Sequence, residues 1–332
     1  MSRLFRHSRA WINGIVVLYT FGGFGAGVWM LTRPEIALNF LGVLLTAHTL
    51  VWSAYLLHEC VHNTVFATPV DNDQLGGLLS WVNGACLATY QGLKKKHLRH
   101  HADRLDVVTF DYRAVLNGAP WIRRVVLLLE WAYVPVVELL MRGFVILAPF
   151  RYGSRRERLR IVLLIAVRVA AFAALALISL KALLLYAVAY LIFLHVLRFM
   201  DAFQHTYEVF VSRSASAAPP DARRTRRYEE ENTYSNLISV HRPWLNLLVL
   251  NFPYHNAHHT QTGVPWYRLP ALHRALYGAQ QGQVIPSRTL LANYHRYRVT
   301  RVLAADYGAV EGGDTRASGF IGAVGVSFLT AV

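Results

Sequence analysis

Long apolar runs, separated by short basic or turn-forming stretches, dominate the pattern along the chain. Four of these runs approach the roughly 20 residues that a helix needs to cross the hydrocarbon core of a bilayer. They cover residues 11–31, 36–57, 161–180 and 182–200. A tight turn, residues 32–35, joins the first pair, and only Lys181 separates the second pair. The pattern predicts an all-α membrane protein whose four transmembrane helices form two hairpins.

Two other apolar stretches do not fit a simple transmembrane helix. Residues 75–90 are short and carry three glycines, Gly76, Gly77 and Gly84, which favours a re-entrant or interfacial element. Residues 121–150 are interrupted by polar residues and a proline, at Glu130, Pro135, Glu138 and Arg142. This second stretch predicts helices that lie along the membrane surface, with a kinked transmembrane helix as the alternative.

The placement of charge indicates the orientation of these helices. The 34 lysines and arginines outnumber the 19 aspartates and glutamates, which gives a net charge of +15. Basic residues precede the first and third apolar runs, at Arg3, Arg6, Arg9, Arg155, Arg156, Arg158 and Arg160. Because cytoplasmic loops are enriched in lysine and arginine, residues 1–10 and both termini are predicted to face the cytoplasm. Arginines beside a membrane contact anionic headgroups, so no nucleic-acid partner is expected.

The first apolar run and the two cysteines fit a cytoplasm-facing membrane protein. The run is long and no small-residue cleavage pattern follows it, so it predicts a retained anchor and not a signal peptide. Cys60 and Cys86 provide no disulfide framework. In a reducing cytosol both are predicted to be free thiols.

Eight histidines form three tight clusters, and they are the candidate chemistry of the chain. The clusters are His58 and His62, then His97, His100 and His101, then His255, His258 and His259. Side chains three or four positions apart share one face of a helix, so each cluster directs its imidazoles towards one point. Eight imidazoles are enough ligands for two metal ions. Imidazole suits zinc, copper, iron and nickel alike, so the ligand type does not choose the metal.

Two other functions would also use these histidines. Residues 58–62 match H-E-x-x-H, the zinc metalloprotease signature in which the glutamate, here Glu59, is the general base. That signature needs only one further ligand and leaves the other two clusters unexplained. A metal transporter or haem-binding membrane protein is the non-enzymatic alternative. The clusters follow the apolar runs and do not lie within them, which argues against this alternative.

From about Leu41 to His273 the chain resembles the membrane fatty acid desaturase and hydroxylase superfamily, whose signature is three histidine boxes with this order and spacing. The stretch V-P-W-Y-R-L-P-A-L-H, residues 264–273, is similar to the pattern that follows the last box in acyl desaturases. The resemblance implies a centre of two iron ions in which the eight boxed histidines are ligands.

The resemblance also implies a ninth ligand after the fourth transmembrane helix, and His205 has that position. Its segment, D-A-F-Q-H-T-Y-E, is similar to the Asn-Tyr-x-x-His-Tyr stretch of membrane alkane hydroxylases but differs at the first residues. The alternative is a histidine that is hydrogen-bonded at a helix end. His48, in the second apolar run, is about 15 Å from His58 along a helix, too far to join the first cluster. It is predicted to be packed and hydrogen-bonded.

Residues around the clusters have further predicted roles. Three polar groups could orient imidazoles through their second ring nitrogens: Asp201, Glu208 and His195. Four aromatic residues are candidate walls of a substrate channel, with anchoring at the membrane interface as the alternative: Trp52, Tyr55, Trp81 and Tyr90. The cations 94–96 and Arg99 could hold a carboxylate or a phosphate, dock an acidic electron donor, or mark topology.

The resemblance implies an oxygen-dependent oxidase that acts on the C–H bonds of a long-chain fatty acid or acyl group in the bilayer. A desaturase is the first expectation, while a hydroxylase or an oxidative decarboxylase that forms a terminal alkene would use the same centre. Electrons are expected from a separate ferredoxin, rubredoxin or cytochrome with its reductase. A single domain, residues 11–310, would carry a cytoplasmic metal-binding cap from residues 58–120 and 201–300. Residues 212–227 are predicted to form a loop, and residues 311–332 contain no motif.

Overall fold

A computed structural model describes residue 6 and residues 11–211, 225–277, 283–285, 287–310 and 316–332. The predictions for the cytoplasmic segment 1–10 and for most of the loop 212–227 lie outside the described residues.

Helices account for most of the described chain. Fourteen α-helices lie within the described ranges: α1 Trp11–Leu31, α2 Ile36–Val61, α3 Pro69–Asn83, α4 Tyr90–Asp103, α5 Tyr112–Gly118, α6 Pro120–Trp131, α7 Val136–Tyr152, α8 Arg155–Ile178, α9 Leu180–Ala202, α10 Arg226–Glu231, α11 His255–Thr260, α12 Leu269–Tyr277, α13 Ser287–Arg296 and α14 Thr300–Leu303. Short 3-10 helices cover Ala85–Leu87, Pro243–Val249, Trp266–Arg268 and Arg316–Gly319. Two short parallel strands pair with each other: β1 Asp106–Val108 and β2 Val209–Val211.

Four helices, α1, α2, α8 and α9, are long and apolar enough to cross a bilayer, as the sequence pattern predicts. α2 continues from residue 57 to Val61 and so includes His58. α8 begins at Arg155, ahead of its apolar run, because Ser154 and Glu157 form a reciprocal capping box. Apolar runs therefore locate these helices, while caps and polar end turns set their bounds.

The described chain divides into two compact units. Unit 1 comprises the residues up to Gln91 together with Gly143–Val196, and unit 2 comprises Gly92–Arg142 and Leu197–Val332. In unit 1, α1 and α2 approach closely. A Cβ atom added to Gly27 would lie 2.5 Å from Thr46 Oγ1. Small residues at such a crossing let two helices of a membrane protein pack backbone against backbone.

The stretch 75–90, predicted to be re-entrant or interfacial, forms the end of α3 and the 3-10 turn Ala85–Leu87. The carbonyl groups at a helix end require donors when water is absent. Arg160 donates to the carbonyls of Leu87 at 2.8 Å and Cys86 at 3.1 Å. Arg168 donates to the carbonyl of Trp81 at 2.9 Å. Two arginines of α8 thus satisfy the backbone of this turn.

The two glutamates that interrupt the apolar stretch 121–150 are partners in a buried network of unit 2. Arg198 Nη1 lies 2.5 Å from Glu130 Oε2, and Arg198 Nε lies 3.4 Å from Glu138 Oε1. All three residues are buried. α6 and α7 are not among the helices of the described chain that are long and apolar enough to cross a bilayer.

Residues 316–332, to which the sequence pattern assigns no role, pack into unit 2. Val324 belongs to a hydrophobic cluster with Val108 of β1, Val137 of α7 and Val302 of α14. The backbone N–H of Ala323 donates to the carbonyl of Ala202 at 2.9 Å. This segment therefore has a fixed path against the end of α9 and the surface of α7.

Candidate metal centre

Two helices and one extended segment carry the predicted ligands of unit 2. α4 bears His97, His100 and His101 within its last two turns, and α11 begins at His255 and continues through the third cluster. His205 follows the end of α9 and forms an isolated β-bridge with Thr233. The spacing of three and four residues places the imidazoles of each helix on one side, as the sequence predicts.

One group of four histidines converges on a point. His205 Nε2 lies 2.8 Å from His255 Nε2 and 3.0 Å from His259 Nε2. The ring centroid of His100 is 4.6 Å from that of His205. One nitrogen from each of the four rings lies within 4.8 Å of the others. The prediction that His205 joins the boxed histidines of unit 2 agrees with this geometry.

Hydrogen bonding alone does not account for this convergence. A ring nitrogen carries either a hydrogen or a lone pair, so His205 Nε2 cannot donate to one neighbour and accept from the other. Two ligands at right angles around an ion, with metal–nitrogen bonds of about 2.1 Å, lie about 3.0 Å apart. The separations of 2.8 and 3.0 Å match that spacing. The four residues therefore fit the coordination sphere of a metal ion.

The second ring nitrogens of this group face carboxylates and a carbonyl. Asp106 Oδ1 lies 3.4 Å from His100 Nδ1 and 3.5 Å from His205 Nδ1, and Glu229 Oε1 lies 3.1 Å from His259 Nδ1. His100 Nδ1 also lies 2.6 Å from the carbonyl of residue 105. Such acceptors favour a proton on Nδ1 and leave the Nε2 lone pair for a metal.

Burial favours the neutral imidazoles that metal binding requires. It lowers the pKa of His205 well below its usual value, and the nearby His100 lowers it further. Burial likewise lowers the pKa of His255, with smaller effects from His259 and the other imidazoles around it. A neutral imidazole keeps one lone pair, so both side chains are ready to bind a cation.

A second group in unit 2 repeats the arrangement. His101 Nε2 lies 3.0 Å from His97 Nε2 and 3.2 Å from His258 Nε2. As with His205, one nitrogen faces two others, which a pair of hydrogen bonds cannot satisfy. Unit 2 thus brings seven of the nine predicted ligands into two groups.

The other two predicted ligands, His58 and His62, lie in unit 1 at the end of α2. Both are buried, and their ring centroids are 4.8 Å apart. Between them in sequence, Glu59 accepts a hydrogen bond from Thr64 Oγ1 at 2.6 Å, and its other oxygen lies 3.7 Å from His58 Nδ1. Glu59 is therefore buried and held beside an imidazole.

The three groups predicted to orient imidazoles lie at different places in the structure. The side chain of Glu208 is exposed, and its backbone carbonyl accepts from the Asp106 N–H. Asp201 lines a small cavity beside His100, and His195 lies within α9. Sequence reasoning missed Asp106 and Glu229, the carboxylates that face Nδ1 atoms. The position of Asp106, five residues after His101, could have indicated that its carboxylate lies near the second histidine cluster.

The predicted channel residues lie in unit 1 at separate places. Trp81 lines an apolar cavity of about 280 Å³ with Phe24 and Phe172. The ring of Trp52 packs edge-on against Tyr19. Tyr55 is buried, and Tyr90 packs against Gly76.

Three minor predictions are confirmed. His48 Nδ1 lies 2.6 Å from Tyr19 Oη, so this histidine is packed and hydrogen-bonded inside α2. Cys60 and Cys86 are both buried thiols, and neither forms a disulfide.

Comparison with known families agrees with the geometry. No curated protein matches the chain at a significant level. The family model for fatty acid desaturases matches residues 34–290, which include all nine histidines discussed above. A match over this span of a 332-residue chain confirms the resemblance seen in the histidine boxes. The chain belongs to the fatty acid desaturase family.

Proposed function

We propose that this protein is an oxygen-dependent di-iron membrane oxidase that acts on the C–H bonds of a long-chain fatty acid or acyl group, and that its reaction is desaturation. The observation that carries the proposal is the convergence of imidazole Nε2 atoms in two separate groups of unit 2. Two groups provide for two ions. Imidazole binds several metals, and membership of the desaturase family favours iron.

Nine histidines would hold the two ions. His100, His205, His255 and His259 form one set, and His97, His101 and His258 form the other. We propose that His58 and His62 are also ligands, on the basis of the family spacing of the first histidine box. When bound, the two irons supply the oxidising power, taken from dioxygen, that removes hydrogen from an unactivated C–H bond.

The residues of the chain hold and enclose this centre. Glu229 lies within hydrogen-bonding distance of His259 Nδ1, and Asp106 lies beside the Nδ1 atoms of His100 and His205, so these carboxylates would orient the imidazoles. Burial excludes water and keeps the imidazoles neutral. The substrate chain would come from the bilayer, which the apolar helices α1, α2, α8 and α9 are long enough to cross. The protein then decides which carbon is attacked by the position at which it holds the chain.

The surroundings of Glu59 favour this proposal over a metalloprotease. A general base must reach the water that it activates. Glu59 is instead 4% exposed and accepts from Thr64. The two histidine groups of unit 2 also exceed the single further ligand that an H-E-x-x-H protease needs.

The proposal also includes the side of the membrane on which the centre lies and the source of its electrons. The basic residues that flank the apolar helices support a cytoplasmic location for the centre and for both termini. Electrons would come from a separate ferredoxin, rubredoxin or cytochrome with its reductase.

Metal analysis and product analysis test the proposal together. Protein purified without chelators should contain about two irons per chain, and zinc in place of iron would contradict the proposal. His258→Ala should abolish oxygen-dependent turnover, while His241→Ala, which changes an exposed histidine, should not. Labelled fatty acids supplied with dioxygen and reductant should yield an internal alkene. An alcohol or a terminal alkene would assign the same centre to a hydroxylase or a decarboxylase.

A further inference from the structure

The segment of residues 320–331 follows a well-defined path through unit 2. Asn293 Nδ2 donates to the carbonyl of Phe320 at 3.1 Å. Gly322 and Gly325 both have φ of +78°, a conformation that residues with a Cβ rarely adopt. A Cβ atom on Gly322 would also lie 2.5 Å from the carbonyl oxygen of Ala202. The glycines therefore permit two close turns that press the segment against its neighbours.

One side chain from α4 holds the far end of this segment. Lys96 Nζ donates to the carbonyls of Ser327 and Thr330, both at 2.8 Å. Thr109 Oγ1 donates to Thr330 Oγ1 at 3.1 Å. An ammonium group removed from water is costly unless it is hydrogen-bonded, so these two bonds tie Lys96 to the segment. Lys96 immediately precedes His97, so the anchor and a predicted ligand share one helical turn.

The anchored segment forms a wall beside the metal centre. A cavity of about 40 Å³ is lined by Val326 and Phe328 together with His97, His205 and other residues of the centre. The ring centroid of Phe328 is 5.7 Å from that of His97. A cavity of this volume has room for water. Without the segment, these imidazoles would lose an apolar cover.

We propose that Phe328 shields the imidazole cluster from bulk water and that Lys96 is a positioning residue that holds the 320–331 segment in place. Lys96 acts through two backbone carbonyls, and Phe328 acts through its ring against His97. The proposal rests on the proposed function for the identity of the metal. It does not rest on turnover, because shielding can be measured directly.

Thiol labelling of the full-length protein in detergent tests the anchor. Ala331→Cys places a reporter at a buried position of the segment, and Ala317→Cys places one just outside it. Adding Lys96→Met should raise the labelling rate of Ala331→Cys by about tenfold or more, as expected from the loss of two hydrogen bonds from a charged donor. The Ala317→Cys reporter should stay slow, which separates local release from unfolding.

Lys95→Met is the matched control, because Lys95 is exposed on the same helix. It should leave both labelling rates unchanged. Slow labelling of Ala331→Cys in the Lys96→Met background would overturn the role of Lys96 as an anchor. Fast labelling of both reporters would equally overturn it in favour of a general structural role.

Metal release tests the shield. Iron-loaded Phe328→Ala should lose iron to a chelator severalfold faster than the parent, and Phe328→Leu, which keeps an apolar cover, should restore slow release. Equal release from Phe328→Ala and the parent would overturn the role of Phe328. If the purified protein instead holds zinc, the proposed oxidase fails, but the same comparison of zinc release still decides whether Phe328 shields the site.

Discussion

At the residue scale, the two nitrogens of each imidazole have separate tasks. In the group around His205, the Nε2 atoms face one another, while the Nδ1 atoms of three rings face Asp106 or Glu229. Asp106 lies beside two rings, so one carboxylate can orient imidazoles from two different elements. Glu229 serves His259 and also lies 3.1 Å from Arg104 Nε. The orientation of these imidazoles therefore depends on residues outside the predicted ligand set.

Glu229→Gln should weaken iron binding, because an amide is a poorer acceptor than a carboxylate for His259 Nδ1. Groups that orient ligands typically change metal affinity by about 10–100-fold. Iron retained after dialysis against a series of chelator concentrations measures the change. Glu230→Gln is the control, since Glu230 pairs with Arg226 on the exposed side of α10. Equal retention in both variants would show that Glu229 does not orient the ligand.

Glu59→Gln should leave most of the oxygen-dependent turnover, because a glutamine can still accept from Thr64 Oγ1. In a metalloprotease the same change removes the general base and abolishes activity. Oxidised product formed per minute by membranes of the variant and the parent measures the difference. His62→Ala, which removes a predicted ligand from the same box, should be inactive. Loss of turnover in Glu59→Gln with normal iron content would show that the reaction needs the Glu59 carboxylate and would contradict this prediction.

The sequence was sufficient wherever neighbours in space are neighbours along the chain. The histidines of α4 share a helical face, as do those of α11, and this follows from their spacing alone; their division between two groups does not, because each helix contributes to both. Glu229 is 30 residues from His259, and nothing in its local pattern distinguishes it from Glu230 or Glu231. Long-range pairs of this kind depend on the fold of the whole unit.

At the element scale, helix ends depart from the apolar runs for physical reasons. Hydrophobicity predicts where a helix enters a bilayer, but the capping box at Ser154 starts α8 earlier. Polar residues inside an apolar stretch also do not show, from sequence alone, whether the helix crosses the bilayer or lies along its surface. Glu130 and Glu138 interrupt the pattern of α6 and α7, and their partner Arg198 lies on α9, far away in sequence. Such a network joins three helices, but its members are far apart in sequence and produce no periodic sequence pattern from which the network could be predicted.

Glu130→Leu alone should destabilise unit 2, because it leaves the buried Arg198 with less compensation for its charge. Breaking one partner of a buried ion pair costs about 3–5 kcal/mol. The triple variant Glu130→Leu, Glu138→Leu, Arg198→Met removes all three charges and should recover much of that loss. Thermal unfolding in detergent, followed by circular dichroism, compares the two variants. A triple variant that is less stable than Glu130→Leu would contradict this account.

At the scale of the whole molecule, seven predicted ligands lie in unit 2, where they come from α4, α11 and the segment after α9. Elements distant in sequence are thus joined at one centre. Without a metal, the buried ring nitrogens that face one another with their lone pairs make few stabilising interactions. With a metal, each imidazole gains a bond that exists only in the folded unit, so binding free energy becomes folding free energy.

Iron should therefore raise the unfolding temperature of the protein. A ligand that binds only the folded state at 100 times its dissociation constant stabilises it by about 2.7 kcal/mol. Limited proteolysis of the iron-loaded and the chelator-treated protein, with the fragments identified by mass, shows which part of the chain iron stabilises. Cleavage should increase within unit 2 after iron removal. The variant His258→Ala should resemble the stripped protein even when iron is supplied, since it lacks one ligand of the second group. Identical cleavage patterns with and without iron would show that the histidine-bearing elements hold together without a metal. Metal binding would then not stabilise the fold of unit 2.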